Sequence, residues 1–279
     1  MTLLECILTN NDCYKTGETL RPVGVMVHST GADNPWILRY VQPAADDPDR
    51  AALLERIGTN RNRNDWNNTT RQVCVHAFVG RLADGTVAAV KTLPWDMRGW
   101  HAGRGSEGTA NDAYLSFEIC EDGLDDAEYF AEVYKVSVQL TAMMCRENGF
   151  NPMEPGVVIC HSEGYKMGIA NNHGDVMHWF PRHGKTMDDF RRDVAGELER
   201  EEEEDMDVDR FTELWREMRK GLQDNDANEY SADARQWAVD NGLIVGGSAE
   251  EFNGMWEDLL TREQMVTLLY RFAKLVGQA

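Results

Sequence analysis

Two apolar runs in this chain end in the same way. Val23, Gly24, Val25, Met26 and Val27 lead into His28 and Ser29, and Val157, Val158, Ile159 and Cys160 lead into His161 and Ser162. A short, nearly continuous apolar run bounded by turn residues reads as a buried strand of a sheet. Two such strands can bring their terminal histidines to one edge of the same sheet. Beyond His161 the chain is dense in imidazole and carboxylate, with His173, Asp175 and His178 in close succession. A strand end facing such a segment is where a metal centre or an acid–base site is built. The plainer reading is a strand-capping His beside polar loop residues, and the rest of the chain has to decide between them.

The remaining pattern alternates strands and helices. Residues 1–20 form a polar lead. Residues 34–41 look like a helix start with Pro35 in the first turn, and 42–72 read as a long loop with a short helix near 51–56. Residues 71–80 and 87–93 read as two strands joined by an Asp84-Gly85 turn. Residues 111–121 form a further strand that sets Glu118 among Phe117, Ile119 and Cys120. A carboxylate in an apolar strand is costly unless it is paired or used. Residues 125–148 carry Phe130, Val133, Val136, Leu140 and Met144 at helical spacing, and Thr186 with Asp189 opens another helix. The expected fold is α/β: a mixed central sheet flanked by helices over residues 1–196, an acidic linker at 197–209, and a small helical module at 210–279. In that module Thr261 caps the last helix, with Gln264 in the capping-box position.

The charge balance removes some functions. With 48 acidic against 28 basic residues the chain carries a net charge of -20, which repels nucleic-acid phosphates and anionic membrane surfaces. No apolar run is long enough to span a bilayer. The N-terminus lacks the basic and apolar regions of a signal peptide, so synthesis in the cytoplasm without export by that route is expected. The six cysteines form no Cys-x-x-Cys pair, so a metal would be held by His and carboxylate.

Read in order, these pieces resemble the type 2 N-acetylmuramoyl-L-alanine amidases, the zinc amidase and peptidoglycan recognition protein family. Residues 25–30 resemble its first zinc-ligand strand. Residues 75–79 with Asp84-Gly85-Thr86 resemble its hairpin, Trp100-His101-Ala102-Gly103 its Trp-His-Ala-Gly loop, and residues 111–118 its strand ending in a catalytic Glu. The resemblance covers roughly residues 20–195. It implies a zinc hydrolase with His28 and His161 as metal ligands and Glu118 as catalytic carboxylate. The family's third ligand is a Cys or Asp commonly followed by Pro; Asp175, followed here by Val176, matches best, with His173 and His178 as alternatives. His173 stands where the family often has a Lys that points into the site, which implies a catalytic role for it.

The implied function is zinc-dependent hydrolysis of the amide between N-acetylmuramic acid and L-alanine in peptidoglycan. An endolysin of a phage or prophage, acting on the bacterial cell wall after release, fits best. A non-catalytic peptidoglycan-binding module and a wall-remodelling amidase of the host are the alternatives. His76 reads as a sheet histidine, and His101 as a residue that shapes the cleft. More loosely, residues 234–247 and 260–271 resemble the two halves of a surface-layer homology repeat. That implies binding of a cell-wall polymer, or oligomerisation, through the C-terminal module.

Overall fold

In a computed structural model the chain is described over residues 1–68, 72–204, 208–246 and 252–278. Six strands make one sheet: β1 (Leu3–Glu5), β2 (Gly24–Ser29), β3 (Ala77–Arg81), β4 (Val87–Lys91), β5 (Tyr114–Ile119) and β6 (Val158–Cys160), in the order β1-β4-β3-β5-β2-β6. β3 and β4 pair antiparallel across the Asp84-Gly85 turn, and the other pairings are parallel. The helices are α1 (Asp12–Thr16), α2 (Arg50–Ile57), α3 (Ala127–Asn148), α4 (His161–Lys166), α5 (Met187–Glu204), α6 (Val208–Leu222), α7 (Ala232–Asp240) and α8 (Arg262–Leu275). The architecture is the expected mixed α/β sheet flanked by helices.

The pleat of the sheet sorts the side chains. Val25, Val27, Ala77, Val79, Leu115, Phe117 and Ile119 point to one face and pack against Tyr129, Phe130, Val133 and Leu140 of α3 and Phe190 and Val194 of α5. Successive strand residues face opposite ways, so Met26, His28, Phe78, Ser116 and Glu118 are on the other face. There Phe78 joins Ile37, Tyr40, Val41, Leu82 and Val90 in a second core. Asp126 caps α3 by accepting from the backbone N–H groups of Glu128 (3.1 Å) and Tyr129 (3.0 Å), a device that contributes about 1 kcal/mol. β2 and β6 approach so closely that a Cβ on Gly24 would lie 2.2 Å from the Val157 carbonyl oxygen; only glycine fits there.

Several local expectations differ from the structure. The segment at 34–41 forms only a 3-10 turn over Ile37–Arg39. The strand expected from residue 71 begins at Ala77, because Cys74 bridges instead to Trp100. The polar lead contains β1, an edge strand too short to show a period. His161 starts a helix, α4, where a loop was expected.

The chain divides into two compact units, Met1–Glu201 and Glu202–Ala279. The division falls within the acidic stretch, of which 197–204 continue α5 and residues 205–207 lie outside the described residues. In the second unit Arg219 grips Asp258 with two bonds, at 2.8 and 2.6 Å. Arg271 donates to the Leu243 carbonyl at 2.8 Å, and Thr261 and Gln264 form a capping box on α8. Leu243 is buried, whereas Leu260, Val266, Leu269 and Tyr270 are exposed.

Candidate metal centre and catalytic site

β2 and β5 lie side by side in parallel register, which puts His28 directly opposite Glu118. Both side chains leave the sheet on the face away from α3. β6 lies on the other side of β2, and its last residue, Cys160, precedes His161 at the first position of α4. Glu163 fixes that helix start: it accepts from Cys160 N–H (3.1 Å) and is held by Arg191, which also donates to the Val158 carbonyl at 2.8 Å. Asp175 arrives from a turn pinned by the fully buried Val176, Trp179 and Phe180. Its backbone carbonyl accepts from Ser162 N–H at 3.3 Å.

Three ligand atoms converge as a result. His28 Nδ1 stands 3.0 Å from Asp175 Oδ2, His161 Nδ1 stands 3.0 Å from His28 Nδ1, and His161 Nδ1 is 3.6 Å from Asp175 Oδ2. Ligand atoms on a tetrahedral zinc with ~2.0–2.1 Å bonds stand about 3.3 Å apart, so this triangle has the size of a metal donor set. His28, His161 and Asp175 are all buried, and theirs is the one His/Cys/Asp/Glu group of this kind among the described residues. The outer ring nitrogens are also placed as a metal site requires. His161 Nε2 donates to the Asn171 carbonyl (3.1 Å) and side-chain oxygen (2.9 Å), which leaves its Nδ1 lone pair facing the centre. His28 Nε2 meets His101 Nδ1 at 2.9 Å.

The electrostatics separate the two carboxylates. Burial works to raise the Asp175 pKa, but the His28 hydrogen bond and the His28 and His161 charges outweigh it and hold the group below its ordinary value. Glu118 goes the other way: burial, then the Asp175 and Glu121 charges, push it well above the carboxylate range. Its Oε2 is buried and has no hydrogen-bond partner. Burial, with the His28 charge next, lowers the pKa of His161. The same surroundings thus push two neighbouring carboxyl groups in opposite directions, Asp175 towards its ionised form and Glu118 towards its protonated one.

His173 is exposed, with its ring centroid 4.9 Å from that of His161. His178 is absent from the convergent set; its Nε2 donates to Glu121 Oε1 at 2.9 Å. His76 is buried away from the centre, where its Nδ1 accepts from Ser116 N–H (3.0 Å) and its Nε2 donates to the Met97 carbonyl (2.8 Å). His101 is closer to the chemistry than a cleft-shaping role requires, since it supports His28 directly. Asn111 fixes its loop by accepting from the His101 and Ala102 N–H groups, both at 2.8 Å. The strand pattern around Glu118 gave no warning of Glu121 or Asn171, whose roles depend on contacts across the fold.

The sequence profile of the N-acetylmuramoyl-L-alanine amidases matches residues 18–176. The chain belongs to this amidase family. The matched span runs from before β2 to just past Asp175 and so takes in every member of the convergent set. Among solved structures, the chain is similar to the Staphylococcus aureus hydrolase AmiA in complex with its ligand. That match has 18% identity and a TM-score of 0.44, and covers 71% of this chain and 83% of that one. It is also similar to the catalytic domain of XlyA, with 17% identity, a TM-score of 0.44, and coverage of 70% and 99%. A mutant endolysin from Bacillus subtilis matches at 18% identity and a TM-score of 0.43, with coverage of 70% and 99%. No curated protein sequence matches the chain.

Proposed function

We propose that this amidase hydrolyses the bond between the lactyl carbonyl of N-acetylmuramic acid and the amine of L-alanine in peptidoglycan, as a zinc enzyme. The observation that carries the reading is the convergence of His28 Nδ1, His161 Nδ1 and Asp175 Oδ2 beside a buried, unpartnered Glu118 carboxyl oxygen. Two imidazoles and one carboxylate would hold the ion and leave a fourth position open, the ligand set of a catalytic rather than a structural site. Zinc bound there supplies Lewis acidity, polarising the scissile carbonyl and acidifying water.

The chain's own residues do the rest. Glu118 takes the proton from the attacking water and delivers it to the alanine nitrogen as the carbon–nitrogen bond breaks. Its raised pKa makes it a stronger base than an ordinary carboxylate for the first half of that task. His173, whose exposed ring lies beside that of His161, donates to the carbonyl oxygen as negative charge develops there. His101 and Asn171 keep the outer nitrogens of His28 and His161 engaged, so that the inner nitrogens keep their lone pairs directed at the centre.

The reading extends to an endolysin-type role in wall lysis. Residues 210–279 act as a wall-targeting module in this reading, since their described part holds no cluster of His and buried carboxylate. Turnover of purified cell walls, measured before and after chelation and after restoring zinc, tests the proposal. Activity should vanish with the metal and return with it; lysis that is indifferent to chelation rejects the metallo-amidase reading.

A further inference from the structure

Three segments deliver the proposed catalytic side chains: β2 delivers His28, β5 delivers Glu118, and the turn after α4 delivers Asp175. No hydrogen bond of the sheet reaches the last of these, because the turn lies outside the ladder. One side chain links all three. Glu121, three residues after Glu118, is 3% exposed. Its Oε1 accepts from the backbone N–H of Gly31 at 3.1 Å and from His178 Nε2 at 2.9 Å. Gly31 is three residues after His28, and His178 is three residues after Asp175. The backbone of Glu121 adds two further ties to the first segment: its N–H donates to Thr30 Oγ1 at 3.1 Å, and its carbonyl accepts from Asn34 N–H at 2.8 Å. Gly31 has φ +63°, a turn conformation that aims its N–H at the carboxylate and that other residues adopt only under strain.

We propose that Glu121 is the positioning residue of the metal centre, joining the segments after His28 and Asp175 through a single oxygen so that both ligands face the same point. A buried carboxyl oxygen that accepts two bonds from different segments fixes their separation. Without it the Asp175 turn is held by the burial of Val176, Trp179 and Phe180 on its far side and by the Ser162 N–H bond to the Asp175 carbonyl. Partners that orient metal ligands in this way typically change metal affinity by about 10–100-fold when removed. His178, in this account, is the second half of the clamp and not a ligand.

The inference rests on the metal reading of the site. Its test is zinc affinity, measured by competition with a chromophoric chelator for the full chain, together with the unfolding midpoint with and without zinc. Glu121→Ala and His178→Ala should each bind one zinc about tenfold or more weakly than the unmodified chain. The double variant should be no weaker than Glu121→Ala, because the two residues act through one contact. Glu121→Gln should restore most of the affinity, since both bonds fall on Oε1 and an amide oxygen can accept both in the same geometry. A merely structural role predicts the reverse pattern: lower midpoints in the zinc-free proteins, with the zinc-induced rise unchanged. His178 is 36% exposed at its side chain, so its replacement tests the clamp even if Glu121→Ala fails to fold. Unchanged affinity in His178→Ala, or strictly additive losses in the double variant, overturns the inference alone. An unmodified chain that takes up no zinc overturns the reading of the site and the inference with it.

Discussion

Asp175→Ala is the substitution on which the proposed metal centre depends most directly. Asp175 Oδ2 is 3.0 Å from His28 Nδ1 and 3.6 Å from His161 Nδ1, so its loss removes one corner of the donor triangle and leaves two imidazoles. The site cannot readily recruit a replacement. Asp175 sits on a turn pinned by buried Val176 and Trp179, and no other carboxylate belongs to the convergent set among the described residues. Removing a residue that merely supports a ligand costs up to about 100-fold in affinity, equivalent to about 2.7 kcal/mol. Removing the ligand itself should exceed that. The assay is zinc per chain by elemental analysis after dialysis at fixed free zinc, with His173→Ala and His178→Ala in parallel. Asp175→Ala should retain well under one zinc at concentrations that saturate the other two. His173→Ala should keep its zinc and lose turnover, because its ring stands beside His161 without joining the donor set. Full zinc retention by Asp175→Ala, with loss in His173→Ala at saturating metal, would refute this assignment.

Glu118→Gln should keep one zinc and lose turnover by about 10²–10⁴-fold, the range for removing a general acid–base; near-normal turnover of soluble muropeptides by this variant would exclude the role given to Glu118. His76, fully buried and with its pKa lowered by burial from 6.5 to about 4, makes a prediction about acid stability. The unfolded chain takes up that proton first, so stability is intact above pH 6.5 and falls as the pH drops towards 4, by about 3 kcal/mol in all. Chemical denaturation at several pH values should show a shallower acid limb in His76→Gln than in the unmodified chain, and parallel limbs would count against the buried neutral imidazole. A chain ending at residue 229 should adsorb less to cell walls while keeping its turnover of soluble muropeptides, and equal loss of both would mean that the tail belongs to the catalytic fold.

The sheet was legible wherever its strands were long and buried on both faces. Residues 24–29, 77–81 and 114–119 carry enough apolar side chains for their period and bounds to show in the sequence, and the Asp84-Gly85 turn fixes the one antiparallel pair. β1 escaped because three residues at a sheet edge carry no readable period; it is a strand only because Leu3, Leu4 and Glu5 find Ala89, Val90 and Lys91 beside them. The 3-10 turn at Ile37–Arg39 is the opposite case. Pro35 gave a local helix signal, but Ile37, Tyr40 and Val41 are claimed by the core under Phe78, and tertiary packing stops the helix after one turn.

The site divides along the same line. His28 and Glu118 sit in strands, where the side-chain period of two decides which face each occupies. Their placement opposite each other needs only the register of β2 on β5. Asp175, His173 and His178 belong to a turn, where sequence spacing does not fix direction, and the residues themselves left the third ligand open among the three. The bend that separates them is set by what the neighbouring side chains bury. Val176, Trp179 and Phe180 enter the core on the α3 side, and that fixes the turn so that Asp175 faces His28 while His178 reaches Glu121. Reading such a site from sequence therefore means asking which large apolar residues flank each candidate, because they choose which polar residue between them can face the site.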